Sequence, residues 1–240
     1  MITDALNRGS PPSCEDGSDS CRAIRQQHFG PLLQRLGWPA GEASARLRTL
    51  GVTGSTAGEG VSTVAAQLAA AAASSGGGEV LLVDANFARP SVQRTLGVNL
   101  GPGLTDLLVG DEHLVKAFQS SRVADVFSLR GGQLWATFQP TPVAGLFALA
   151  AGRSSIRPAR SYYWADLVQV IDTVQKLFDL VVVDMPSVDR LSSTLQLAGS
   201  LDGVLLVVAA DRVRWSVAQR TTDLLSEVNA RLLGAILNGR

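Results

Sequence analysis

The chain has 240 residues with 21 basic and 21 acidic side chains, so its formal net charge is zero, which argues against a general polyanion or nucleic-acid binder. With 46% hydrophobic residues it can bury a sizeable core, yet no apolar run approaches the ~20 residues that span a bilayer. Met1-Ile2-Thr3-Asp4 lacks the basic-then-apolar order of a secretory signal, so the expected compartment is the cytoplasm, with any peripheral position at the inner face of a membrane supplied by a partner.

Residues 1–45 are rich in Gly, Ser, Pro and Asp and are expected to form a poorly ordered N-terminal extension. Cys14 and Cys21 lie in it. Their spacing is not a metal signature, and they are read as ordinary reduced thiols. The amphipathic piece from His28 to Trp38 is read as a transiently helical tail.

From residue 46 to 240 short apolar runs alternate with helical stretches. The runs are Leu50 to Val52, Val80 to Val83, Leu146 to Leu149, Leu180 to Val183, Val204 to Val208 and Leu232 to Leu237. Continuous β-rich runs such as Val181-Val182-Val183 suit strands covered on both faces. Helices are predicted over Ser62 to Ser74, Ala165 to Phe178 and Val213 to Asn229. Alternation of this kind predicts an α/β fold, a doubly wound and mainly parallel sheet flanked by helices, with ligands at the edge where the strands end. Ala124 to Gln139, with Gly131-Gly132 between two alternating segments, is read as an inserted hairpin.

The most informative segment is Gly51-Val-Thr-Gly-Ser-Thr-Ala-Gly-Glu-Gly-Val-Ser-Thr63. It follows a strand and opens an Ala-rich helix, the setting in which a phosphate-binding loop works. Glycines let the backbone turn and offer its N–H groups, and the helix start adds unpaired amides and a positive dipole end. A glycine turn with no ligand is the plain alternative for the loop taken alone. Ser62 stands where a hydroxyl ligates Mg²⁺. Val61 stands where such loops carry lysine. Valine supplies neither charge nor donor, and a lost charge-assisted hydrogen bond of about 1.5–3 kcal/mol corresponds to ~10 to 150-fold in binding. The only lysines, Lys116 and Lys176, are far away in sequence. Two apolar strands end in acid, at Asp84 and Asp184. An Asp in that position beside a phosphate loop can hold Mg²⁺ or its water.

Six stretches in order resemble the bacterial tyrosine autokinases (BY-kinases) of capsular and exopolysaccharide biosynthesis, within the wider group of MinD- and ParA-type P-loop ATPases. Besides the loop, Asp84-Ala-Asn-Phe-Ala-Arg-Pro90 resembles their D-A-D-L-R-R-P. Pro102-Gly-Leu-Thr-Asp-Leu-Leu-Val-Gly110 is similar to P-G-L-S-D-x-L-x-G. Leu146-Phe-Ala-Leu-Ala-Ala-Gly152 is similar to L-x-V-L-P-A-G, and Phe178-Asp-Leu-Val-Val-Val-Asp-Met-Pro186 to Y-D-x-V-I-I-D-T-P. Leu201-Asp-Gly-Val-Leu-Leu-Val-Val208 and Gly234-Ala-Ile-Leu-Asn238 match the last two core strands.

The resemblance implies ATP and Mg²⁺ as cofactors. Gly58, Glu59, Gly60, Val61, Ser62 and Thr63 would surround the phosphates. Asn238 would lie near the adenine, and Asp84 and Asp184 would serve catalysis. Ser62, Asp84 and Asp184 would hold the metal. It also implies a membrane-spanning polysaccharide chain-length regulator as partner, and a homo-oligomer or a hetero-oligomer with an active paralogue. The departures are Val61 for lysine, Asn86 for the second Asp of D-x-D, Ala88 for the first Arg, and Met185 for Thr. A tyrosine cluster is missing, since Tyr162 and Tyr163 are the only tyrosines and are read as packing residues. Glu42 to Arg48 matches the E-x-x-R-x-x-R oligomerisation helix only in part. The leading expectation is a degenerate tyrosine-kinase-like protein with impaired or absent ATP hydrolysis and phosphotransfer. The alternatives are an active divergent ATPase or autokinase, with Arg89, Arg153 or a neighbouring subunit's arginine supplying the charge, and a MinD- or ParA-like positioning ATPase.

Overall fold

Apolar strands that are hydrophobic at every position need cover on both faces, and a computed structural model shows how they get it. It describes residues 19–39, 47–109, 137–152, 162–188 and 192–239. Seven strands form one sheet: β1 (Thr49–Gly54), β2 (Val80–Asp84), β3 (Gln139–Pro140), β4 (Leu146–Leu149), β5 (Leu180–Asp184), β6 (Gly203–Ala209) and β7 (Leu232–Asn238), in the order β3-β4-β2-β5-β1-β6-β7. All neighbours are parallel except the antiparallel edge pair β3–β4. Every residue of β1, β2 and β5 is buried.

The two-residue alternation of a strand sorts these side chains into two cores. Leu50, Val52, Val80, Leu82, Val182 and Val207 face one, with α1 (Asp19–Arg35), α2 (Val61–Ser74) and α3 (Val92–Leu96) over it. Leu81, Val83, Val181, Val183 and Val204 face the other, under α4 (Leu104–Val109), α5 (Tyr162–Val174), α6 (Ser192–Ser200) and α7 (Trp215–Glu227). The expected α/β architecture of a mainly parallel sheet between helices is therefore present.

Three details differ from the sequence reading. The boundary expected at residue 45 falls inside the packed unit. Residues 19–35 form α1, and Phe29, Leu33 and Trp38 are buried against α2. Trp38 Nε1 donates to the Ala72 carbonyl (3.1 Å) and to Ser75 Oγ (3.0 Å), and Gln26 Nε2 donates to the Ala71 carbonyl (2.7 Å). Ten of the fourteen residues of the Ala-rich α2 are buried, so its outer face also needs cover. Second, α5 begins at Tyr162 and ends at Val174, four residues short of Phe178. Phe178 turns inward and meets Phe138 edge-on, with ring centroids 5.5 Å apart. Third, α3, α4 and α6 are short helices that the sequence did not announce. The expected hairpin lies outside the described residues except for 137–139, as do Arg153 and residues 42–46. No helix among the described residues is long and apolar enough to cross a membrane.

Candidate nucleotide site

Strand ends on a parallel sheet converge on one edge, and here they bring the predicted residues together. β1 runs into the loop 54–60, and β5 lies beside it in the register Val52↔Asp184. On the far side of β5, Asp84 of β2 is paired directly with Asp184. After β5 the chain follows the end of β1: the Met185 and Val188 amides donate to the carbonyls of Val52 (2.9 Å) and Gly54 (3.0 Å), and Thr53 Oγ1 donates to the Pro186 carbonyl (2.7 Å). This seam fixes Asp184 against the loop. Met185 fills the space over Gly51, where an added Cβ would sit 2.7 Å from Met185 Cε and 2.8 Å from Leu201 Cδ1.

The loop turns through two glycines in the left-handed region, Gly58 (φ 89°) and Gly60 (φ 86°). Other residues adopt this region at a cost. Gly60 caps α2, whose first amides have no intrahelical acceptor. Among the described residues no acceptor closes on the amides of residues 57–63. Seated at the start of a 14-residue helix, they form a surface suited to anion oxygens.

The side chains divide into those facing this surface and those serving the fold. Val61, at the lysine position and the first residue of α2, is buried in the core. Glu59 is turned back on the loop start: its carboxylate accepts from the amides of Ser55 (3.0 Å) and Thr56 (2.8 Å) and from Thr56 Oγ1 (2.8 Å). Any contact of Glu59 with a phosphate would come through its backbone. Asn238, at the end of β7, donates its side-chain amide to the Glu59 carbonyl (2.8 Å). This places it on the loop. Thr63 is exposed and Ser62 half-buried. Among the described residues no lysine or arginine side chain hydrogen-bonds to the loop, and Arg89 is exposed.

The two aspartates are both fully buried and differ in partners. Asp84 accepts from the amides of Asn86 (3.1 Å), Ser91 (2.9 Å) and Val92 (3.1 Å), which makes it the cap of α3 as well as a candidate ligand. Burial pushes its pKa up to about 6, against the opposing pull of those three amides. Asp184 has no hydrogen bond to either oxygen. Burial and the charge of Asp84 push its pKa well above the usual carboxylate range. The Ser62 hydroxyl faces it, outside hydrogen-bonding geometry, and offsets a minor part of that shift. An unpaired buried carboxylate is costly, and a cation would satisfy it. No group of three or more His, Cys, Asp or Glu gathers among the described residues. A Mg²⁺ ion of the nucleotide type needs only one or two carboxylates, because phosphate and water complete its shell. The residues present therefore fit Mg²⁺, which Asp184, Ser62 and Asp84 would hold. They fit the anionic end of a nucleotide at the amides.

The chain shares 30% identity over 187 residues with a putative tyrosine-protein kinase, EpsB, of Ralstonia nicotianae. The alignment covers 78% of this chain and 22% of that one, so the chain spans about a fifth of that relative's length. It shares 26% identity over 195 residues with the tyrosine-protein kinase YwqD of Bacillus subtilis, covering 81% of this chain and 73% of the other. Among solved structures, the kinase domain of the Escherichia coli tyrosine kinase ETK superposes with a TM-score of 0.72 at 21% identity, covering 99% of this chain and 84% of that one. The septum site-determining protein MinD of Pyrococcus horikoshii, solved with Mg-ADP, superposes with a TM-score of 0.58 at 21% identity, covering 80% and 70%. No family model matches the chain. Fold neighbours of this protein thus include one solved with Mg-ADP, and the chain itself is a homologue of the bacterial tyrosine-protein kinases.

Proposed function

We propose that this chain is a nucleotide-site protein of capsular or exopolysaccharide biosynthesis whose ATP hydrolysis and phosphotransfer are impaired or absent. In this reading it works in the cytoplasm, at the inner face of the membrane, by docking to a membrane-spanning chain-length regulator and to its own or an active kinase's subunits. The observation that carries the reading is the pairing of a buried Val61 at the lysine position with an unpaired Asp184 carboxylate beside the loop. The first removes the cation that would stabilise charge on a transferring phosphoryl group. The second keeps a reason for a metal to bind.

In this reading the amides of residues 57–63 bind the phosphates, and Ser62, Asp184 and Asp84 hold Mg²⁺ or its water. Asn238 borders the base. Bound Mg²⁺ would neutralise phosphate charge. What the protein itself does is present amides and orient the metal's ligands.

Calorimetric titration of Mg·ATP into the wild type and into Val61→Lys tests this. The wild type is expected at ~0.1 mM or weaker, a micromolar site less one charge-assisted contact. The lysine variant is expected to bind at least tenfold more tightly. Equal affinities would remove the lysine position from the argument. Labelled phosphate entering the wild-type chain, or ATP turnover lost in Asp184→Ala, would favour an active divergent autokinase instead.

A further inference from the structure

Glu59 is the only acidic residue between Gly54 and Thr63, is 2% exposed, and is engaged at both ends. Its carboxylate takes three hydrogen bonds from Ser55 and Thr56. Its carbonyl takes one from Asn238. The flanking glycines are cut to this arrangement. A Cβ on Gly54 would lie 2.6 Å from Glu59 Oε2 and 2.9 Å from Val61 Cγ2, and one on Gly60 would collide with Asn238 Nδ2. The loop is thus tied to its own start and to the end of β7, while the amides that follow stay without acceptors.

By sign of charge alone, this carboxylate is misplaced. A phosphate site with no lysine, and with the carboxyl groups of Asp84 and Asp184 at its edge, gains nothing from a further anion. Yet hydrogen bonds from backbone amides to a carboxylate are among the strong ones, and the side-chain contacts fix the first part of the turn. With no ammonium to attract a phosphate, the set direction of the remaining amides is the main attraction the loop retains.

We infer that Glu59 is a positioning residue: it holds the Ser55–Thr56 turn so that the amides after it stay presented to a phosphate, and this benefit outweighs its repulsion. The inference rests on the nucleotide reading above.

The two effects predict opposite signs for Glu59→Gln in the full chain. Glutamine keeps the shape, removes the charge and sets an NH₂ against one of the loop amides. Calorimetric titration of Mg·ADP should show binding about tenfold weaker in the variant, the loss of one charge-assisted hydrogen bond. Amide hydrogen exchange at Ser55 and Thr56, read by NMR without ligand, should be slow in the wild type and fast in the variant. Amides of β1 and β5 should be unchanged, which shows that the variant is folded. If the wild type binds and the variant binds equally or more tightly, the site stands and the positioning role is overturned. Fast exchange at Ser55 and Thr56 in the wild type overturns it as well. If the wild type binds no Mg·ADP, the nucleotide reading falls and the role of Glu59 in it falls too.

Discussion

Replacing Asp184 by Asn is expected to stabilise the metal-free protein, and to do so more as pH rises. Asp184 is fully buried, neither oxygen is hydrogen-bonded, and Asp84 lies in register beside it. Both carboxylates hold their protons more tightly folded than unfolded. Their favourable contribution is therefore complete below the unfolded value of 3.8, and it is lost as pH rises through the folded value, about 6 for Asp84 and well above 3.8 for Asp184. For Asp84 the change from 3.8 to about 6 corresponds to about 3 kcal/mol. Asparagine cannot ionise, and it relieves Asp84 of its like-charged neighbour. The variant should gain on the wild type between pH 4.5 and 8.5 by about 1–3 kcal/mol, the desolvation penalty of an unsatisfied buried group, which for a domain of this size is roughly 2–12 °C in Tm. Scanning calorimetry of both proteins in metal-free buffer at pH 4.5, 6.5 and 8.5 measures the difference, so that other titrating groups cancel. Added Mg²⁺ should then raise the Tm of the wild type more than that of the variant. A difference that stays constant or shrinks with pH would refute the reasoning, as would a variant less stable than the wild type at pH 8.5.

Val61→Lys should lower Tm even as it strengthens nucleotide binding, because a buried valine's transfer energy, about 1.5–3 kcal/mol, is lost; thermal melts of the ligand-free variant check this. Trp38→Ala removes the largest anchor of α1 and its bonds to Ala72 and Ser75, at a cost of about 3–5 kcal/mol. Amide exchange in α1 should lose its protection, while β1 and β5 keep theirs. Gly51→Val puts methyl groups into space held by Met185 and Leu201 and should cost about 1–3 kcal/mol from overpacking. The double variant Gly51→Val, Met185→Ala should recover part of that in denaturant titrations.

The sheet was legible because its signal is local. Runs such as Val80-Leu-Leu-Val-Asp84 are apolar at every position and end in an acid, so strand, burial and ligand edge can all be read from five residues. The strand-end aspartates and the loop glycines came from the same source. What could not be read was decided by contacts distant in sequence. α1 carries no clear amphipathic stripe and contains Pro31. It is placed by Phe29, Leu33 and Trp38 meeting α2, some 34 residues downstream of Trp38. The brace at Glu59 was equally hidden, because whether a carboxylate reaches back three and four residues to loop amides is set by the path of the turn, in which Gly58 takes a positive φ. Asn238 was placed by resemblance near the base. Its contact with the Glu59 carbonyl depends on β7 lying at one edge of the sheet and on the loop reaching toward it.

The residues of this loop do not all testify to the same thing. Gly54 has Glu59 and Val61 against it, and Gly60 has Asn238 against it and a positive φ, so the packing of the turn demands glycine at both positions whether or not a ligand comes. Asp84 caps α3 and would be wanted there in any case. These residues explain why a loop of this shape persists without its lysine. Asp184 is different: nothing within the described fold rewards a buried carboxylate with two unpaired oxygens beside another acid. Its cost as a charged group would be offset by a cation bound at that point. Asp184 therefore points to a metal, and through the metal to a nucleotide, more than do the glycines that make the motif recognisable.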